Sequence, residues 1–197
     1  MGSVMNVLRP QAATSIAVFG VGAVDLSAII AAWIVGCSTI IAVDVVPERL
    51  RVAQDLGATH GVSGLSESSS AEIIELTRGG ADFSLDTTGV PPAVTISINC
   101  VREVSAPRSR RRLAAPFCGR SQRCGGQGNH HSRSYRGRCN PQLFIPRMIG
   151  FFRDGRLPLD KFVKTYPLEK INEAVDDLEH GRVVKPVLTM REIGSVA

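Results

Sequence analysis

Residues 15–44 read S-I-A-V-F-G-V-G-A-V-D-L-S-A-I-I-A-A-W-I-V-G-C-S-T-I-I-A-V-D, and this stretch decides the fold. A short apolar run, Ile16 to Phe19, turns through Gly20-Val21-Gly22 and continues as an Ala- and Ile-rich segment to Val35 whose one charge is Asp25. A second apolar run, Ile40 to Val43, ends on Asp44. The order is strand, tight glycine turn, helix, strand, acid. It suits a dinucleotide, because backbone N–H groups at a helix N-terminus can face a pyrophosphate and the acid can accept ribose hydroxyl groups.

Beyond Asp44 the alternation of strand and helix continues. Pro47 suits a helix start, Leu50, Ala53 and Leu56 give one apolar face, and Gly57 stops it. Ala58 to Val62 reads as a third strand, and Ser69-Ser70-Ala71-Glu72 as a capping box for a helix carrying Ile73, Ile74 and Leu76. Phe83 to Asp86 is a fourth strand that delivers Thr87-Thr88-Gly89 to its C-terminal end, where open α/β sheets hold ligands. Pro91 or Pro92 then starts a helix through Cys100. After an irregular segment, Met148, Ile149 and Phe152 suggest a helix, and Asp160 to Lys164 a short link. Leu168, Ile171, Ala174, Val175 and Leu178 mark one helix face, and Val183 to Leu188 a closing strand.

A chain of 197 residues can bury one good core with a small appendage. Its net charge of +5 is unevenly placed: residues 102–139 hold ten arginines against the single acid Glu103, so the rest of the chain is net acidic. Three of the five cysteines, Cys118, Cys124 and Cys139, lie in that same segment, with only Cys37 and Cys100 outside. The spacings contain no Cys-x-x-Cys pair and no disulfide framework, and a reducing, cytoplasmic setting is expected. Leu26 to Val43 runs eighteen residues without a charge, long enough to span a bilayer. The punctuation at Gly36-Cys37-Ser38-Thr39 favours a helix followed by a buried parallel strand, and no membrane is expected as a partner.

Several blocks resemble the zinc-type medium-chain alcohol dehydrogenases, in particular the NAD-dependent aryl-alcohol branch. They are G-S-V-M-N-V-L-R-P, I-A-V-F-G-V-G-A-V, G-C-S-T-I-I-A-V-D, D-F-S-L-D-T-T-G and the tail Y-P-L-E-K-I-N-E-A-V with K-P-V-L. The resemblance covers residues 2 to about 103 and 140 to 190. It implies a Rossmann-type doubly wound parallel sheet, strand order 3-2-1-4-5-6, with NAD as cofactor. Residues 1–14 would be the remnant of an inter-domain helix, 15–103 the NAD-binding core, 140–190 the C-terminal helices and closing strand, and 191–197 a tail.

Between the matching blocks, residues 104–139 lose all apolar periodicity and are rich in Arg, Gly and Ser. Arginines can neutralise phosphates, but only Phe117 and Tyr135 could stack on bases and no nucleic-acid-binding motif is present, so nucleic acid is not the expected partner. Metal binding by Cys118, Cys124, His130, His131 and Cys139 matches no zinc spacing. A third account is a frame change. Residues 128–138, G-N-H-H-S-R-S-Y-R-G-R, written in allowed codons and read one base later, permit G-I-T-I-R-G-V-I-E-G, which has the β-branched alternation of a strand. On that account strands 5 and 6 are replaced, the sheet is incomplete, strand 4 has an unpaired edge, residues 104–139 are disordered, and the dimer contact that the resemblance assigns to the last strand is in question.

The cofactor residues implied are Gly20 for the tight turn, Gly22 for close approach to the phosphates, and the N–H groups of Ala23 and Val24 as phosphate donors. Asp44, 24 positions after Gly20, would accept both ribose hydroxyl groups and repel a 2′-phosphate, favouring NAD over NADP. The resemblance adds Arg49 beside the adenosine ribose, Thr88 near the nicotinamide and Lys185 reaching a phosphate. Asp25 stands where the fingerprint has its third glycine, bringing bulk and negative charge to a crowded helix start, so weakened NAD binding is expected. In the family, hydride passes to NAD from an alkoxide held on zinc. The ligands of that zinc belong to an N-terminal catalytic domain that this chain does not contain. No catalytic residue and no metal ligand is expected here. The reading is the NAD-binding portion of an NAD-dependent alcohol dehydrogenase, inert without a separate catalytic domain or subunit.

Overall fold

The alternation around the glycine turn is realised as a parallel sheet in a computed structural model. The structure describes residues 1–102 and 139–190, and the backbone of 111–115 and 129–133. Two compact units emerge, Met1–Met148 and Ile149–Ala197.

In the first unit, β1 (Ser15–Phe19), β2 (Thr39–Asp44), β3 (His60–Ser63), β4 (Phe83–Asp86), β5 (Arg111–Ala115) and β6 (Asn129–Arg133) form one sheet in the order β3-β2-β1-β4-β5-β6. The inner strands are continuous apolar runs because both faces of a parallel sheet are covered; every residue of β1 is buried. One face carries Ala17, Phe19, Ile41 and Val43 into a cluster with Ile73 of α3 (Glu67–Leu76) and Ala93 and Ile96 of α4 (Pro91–Asn99). The alternate positions Ile16, Val18, Ile40 and Ala42 are equally buried, as are Leu26, Ile29 and Ile30 of α1 (Ala23–Ile34). The long uncharged run is thus α1 and β2 with a break at Gly36, whose φ of 85° lets the chain leave the helix. Among the described residues no helix is long and apolar enough to cross a membrane.

The expected doubly wound fold is present, but the expectation of an incomplete sheet is corrected. β4 pairs in parallel with β5, Phe83 opposite Arg112, and β5 pairs with β6. Ladder bonds use backbone N–H and C=O groups, which any non-proline residue carries, so pairing does not require the apolar pattern that residues 104–139 lack. The expectation of disorder there otherwise falls outside the described residues, as do Cys118 and Cys124.

Smaller boundaries also differ. α2 (Pro47–Asp55) begins at its proline as expected. α3 starts earlier than the serine run suggests, with Ser66 as N-cap, because Ser69 at the third helical position accepts the Ser66 N–H at 3.3 Å. α5 (Pro141–Arg153) begins ahead of Met148 and contains Pro146.

In the second unit, the link near Asp160 is a short 3-10 turn followed by a strand, β7 (Val163–Pro167). β8 (Lys185–Thr189) pairs with β7 in parallel, so the closing strand belongs to a separate two-stranded sheet. Parallel strands need a crossover, which α6 (Ile171–Glu179) supplies. Asp177 of α6 accepts hydrogen bonds from Tyr166 Oη at 2.5 Å, Arg182 Nε at 2.6 Å and Lys164 Nζ at 3.1 Å.

Candidate functional site

The C-terminal ends of β1, β2 and β4 lie side by side, with Phe19 opposite both Val43 and Asp86. The chain leaves β1 toward β2 on one side and reaches β4 on the other, so this is the topological switch point of the sheet. The glycine turn sits there. Gly20 has φ of 91°, and a Cβ at this position would stand 2.8 Å from Thr88 Cγ2. Conformation and space therefore both require glycine. The Gly20 N–H donates to the Val43 carbonyl at 2.8 Å and the Val21 N–H to Asp44 Oδ2 at 2.8 Å, which ties the turn to the end of β2.

Asp44 is buried, and its other oxygen accepts the Val46 N–H at 2.9 Å. Each carboxylate oxygen thus holds one backbone donor and keeps further acceptor capacity for a hydroxyl. Gly22 is the N-cap of α1, and the N–H groups of Ala23 and Val24 open the helix with no intrahelical acceptor. Val24 is exposed, leaving this end of the helix accessible. Thr88 is exposed on the loop after β4 and bonds through its N–H and hydroxyl to Asp86 Oδ1. The Gly89 N–H donates to the other Asp86 oxygen at 3.2 Å.

Gly20, Gly22, Ala23, Val24, Asp44 and Thr88 therefore meet around one turn. Arg49 is the third residue of α2 and half-buried, and Lys185 opens β8 in the second unit and is exposed. Residues 21–104 match the family described as zinc-binding dehydrogenase. The chain is similar to the cofactor-domain portion of the zinc-type alcohol dehydrogenases.

Among curated proteins of that family, the geraniol dehydrogenase of Castellaniella defragrans is 34% identical over 198 residues, an alignment covering 95% of this chain and 51% of the relative. Among solved structures, the benzyl alcohol dehydrogenase of Acinetobacter calcoaceticus superposes with a TM-score of 0.83 at 31% identity, covering 96% of this chain and 53% of that one. A zinc-binding-domain alcohol dehydrogenase of Burkholderia ambifaria gives 0.79 at 34% identity, covering 97% and 52%. The chain spans about half the length of the relatives it matches.

Against this family background Asp25 is the departure. Its side chain is 4% exposed and lies over the turn, with Oδ2 accepting the Gly22 N–H at 3.1 Å and Oδ1 accepting the Thr87 hydroxyl. Burial pushes this carboxyl up to about 6; the bonds from Thr87 and Gly22 oppose the shift and the nearby Asp86 charge adds to it. Thr87 and Asp86 are functional neighbours that sequence reasoning leaves without a role. The string D-T-T-G signals an Asx-type turn, but nothing local announces that Thr87 reaches Asp25. Among the described residues, no group of three or more His, Cys, Asp or Glu side chains could hold a metal ion. Burial pushes the Cys37 thiol up and the Cys100 thiol to about 12, the behaviour of packed rather than reactive cysteines.

Proposed function

We propose that this chain is the NAD-binding portion of an NAD-dependent zinc-type alcohol dehydrogenase. The observation that carries the reading is the meeting of the Gly20–Gly22 turn, the open N-terminus of α1 and Asp44 at the switch point of the sheet. When bound, NAD supplies the hydride acceptor. The chain's own residues bind and orient it: the turn and the Ala23 and Val24 N–H groups hold the pyrophosphate, and Asp44 takes the ribose hydroxyls and repels a 2′-phosphate. The resemblance would give Arg49 the adenosine ribose and Thr88 the nicotinamide end. The names of the relatives, geraniol and benzyl alcohol dehydrogenase, support a primary, unsaturated or aryl alcohol as the substrate of a complete enzyme. Zinc and its ligands would come from a catalytic domain or subunit outside this chain. The setting proposed is cytoplasmic.

Residues 104–139 are proposed to be translated out of frame. The support is compositional: β5 reads R-R-L-A-A and β6 N-H-H-S-R, where buried strands of this sheet read S-I-A-V-F and T-I-I-A-V-D. Titration calorimetry with NAD tests the cofactor reading, using the chain and Asp25→Gly, which restores the third glycine. The glycine form should bind NAD more tightly than the parent, and more tightly than it binds NADP. Absence of saturable NAD binding in both forms would overturn the reading.

A further inference from the structure

The turn of this site already faces an anion, and that anion belongs to the chain. Asp25 Oδ2 takes the Gly22 N–H and lies 3.1 Å from where a Gly20 Cβ would stand and 3.4 Å from the corresponding point at Gly22. The carboxylate is therefore seated on the glycine turn itself, at the positive end of α1, where a negative group is favoured. A pyrophosphate placed at the same helix end would meet a buried negative charge with little water to screen it.

We propose that Asp25 is a proton-operated gate on the nucleotide site: ionised, it occupies the glycine turn as an internal anion, and protonated, it admits the pyrophosphate. The proposal rests on the NAD-binding reading above.

The seat is built for one side chain. Asp25 is the third residue of α1, within reach of both the turn behind it and the loop after β4, and Thr87 of that loop donates to the oxygen that the turn does not use. Ionised, the carboxylate accepts from Gly22, Thr87 and its own backbone N–H. Protonation removes the charge and turns one oxygen into a donor, so the turn loses its internal anion. Burial is what brings this transition toward neutral pH. The charged groups that the described residues bring against Asp25 are Asp86 at the end of β4 and the buried amino group of Met1, with Asp44 across the turn. That amino group is itself pushed down to about 6 by burial, with the charges of Asp25 and Cys139 opposing, so any test must separate the two.

Calorimetry of NAD binding between pH 5 and 8, in buffers of different protonation enthalpy, makes that separation. For the unaltered chain, Kd should weaken about tenfold per pH unit above pH 6 and level off below it, as expected when only the protonated fraction binds. Proton uptake should approach one per NAD above the midpoint. Asp25→Asn and Asp25→Gly should bind NAD with no such slope. Thr87→Val removes a bond that favours the ionised carboxylate, so its midpoint should move to higher pH. If Asp25→Asn keeps the slope of the parent, the proton belongs to Met1, Asp86 or another group and the proposal is overturned. A flat profile in the unaltered chain, with Asp25→Gly binding NAD, also overturns it while leaving the cofactor reading intact. No binding by any form removes both.

Discussion

Asp25 is a carboxylate in a place where burial opposes its charge, and its effect on folding has the opposite pH sense from that of an ordinary ion-paired acid. Its folded value of about 6 lies above the unperturbed 3.8. The stability it contributes is therefore fully present below the unfolded value and lost as pH rises through the folded one. A rise of that size corresponds to about 3 kcal/mol, an upper bound for a group that can relax locally. Asp25→Asn keeps the shape and removes the charge. Urea unfolding should show the asparagine form gaining on the parent between about pH 4 and 7.5 by 1–3 kcal/mol. A difference that stays constant across that range would mean the carboxyl is not perturbed by folding. Gly20 is legible at this scale from the sequence alone, because its strand-glycine-helix setting already demands an unusual backbone. Asp25 is legible as a misfit. Its partner is not, because Thr87 lies 62 residues away and becomes a neighbour only when β4 pairs with β1.

Elements that carry a clear period match their sequence signals: β1, β2, α1, α2 and β4 follow from continuous apolar runs, proline starts and glycine stops. Elsewhere the local signal is weaker than a tertiary contact. α6 has the apolar spacing of a packed helix, yet of the face Leu168, Ile171, Ala174, Val175 and Leu178 only Ala174 is buried. A two-stranded sheet has too little area to cover that face. The segment V-K-T-Y-P is short and forms no continuous apolar run, although Val163, Thr165 and Tyr166 are strand-favouring types. It forms β7 because β8 offers it a ladder and Asp177 holds its Tyr166 and Lys164. Asp177 is kept well below the usual carboxylate range by the Tyr166 hydroxyl first, then by Arg182 and Lys164. Its contribution is present above the unfolded carboxylate value and lost as pH falls below it. Asp177→Asn should lower thermal stability at neutral pH, with the gap from the parent narrowing below about pH 4. A gap independent of pH would assign the effect to packing instead of charge.

For the molecule as a whole, the activity of a complete dehydrogenase is a question of what this chain does by itself. The chain spans about half the length of its relatives, and its described residues hold no metal-binding cluster. Purified chain incubated with benzyl alcohol, NAD and zinc at pH 6 and 8 should form no NADH above background by absorbance at either pH, and steady NADH formation would overturn the proposal that the chemistry needs a further domain. The sequence by itself determined the order strand, glycine turn, helix, strand, acid, and with it the parallel sheet, because these depend on backbone conformation and apolar period over a few residues. Only the tertiary structure decided that β5 and β6 complete the sheet, since ladder pairing is made by backbone groups and does not consult the side-chain pattern. It also decided that Asp25 is seated on the turn and bonded to Thr87, since that contact exists only once two distant strand ends are brought side by side.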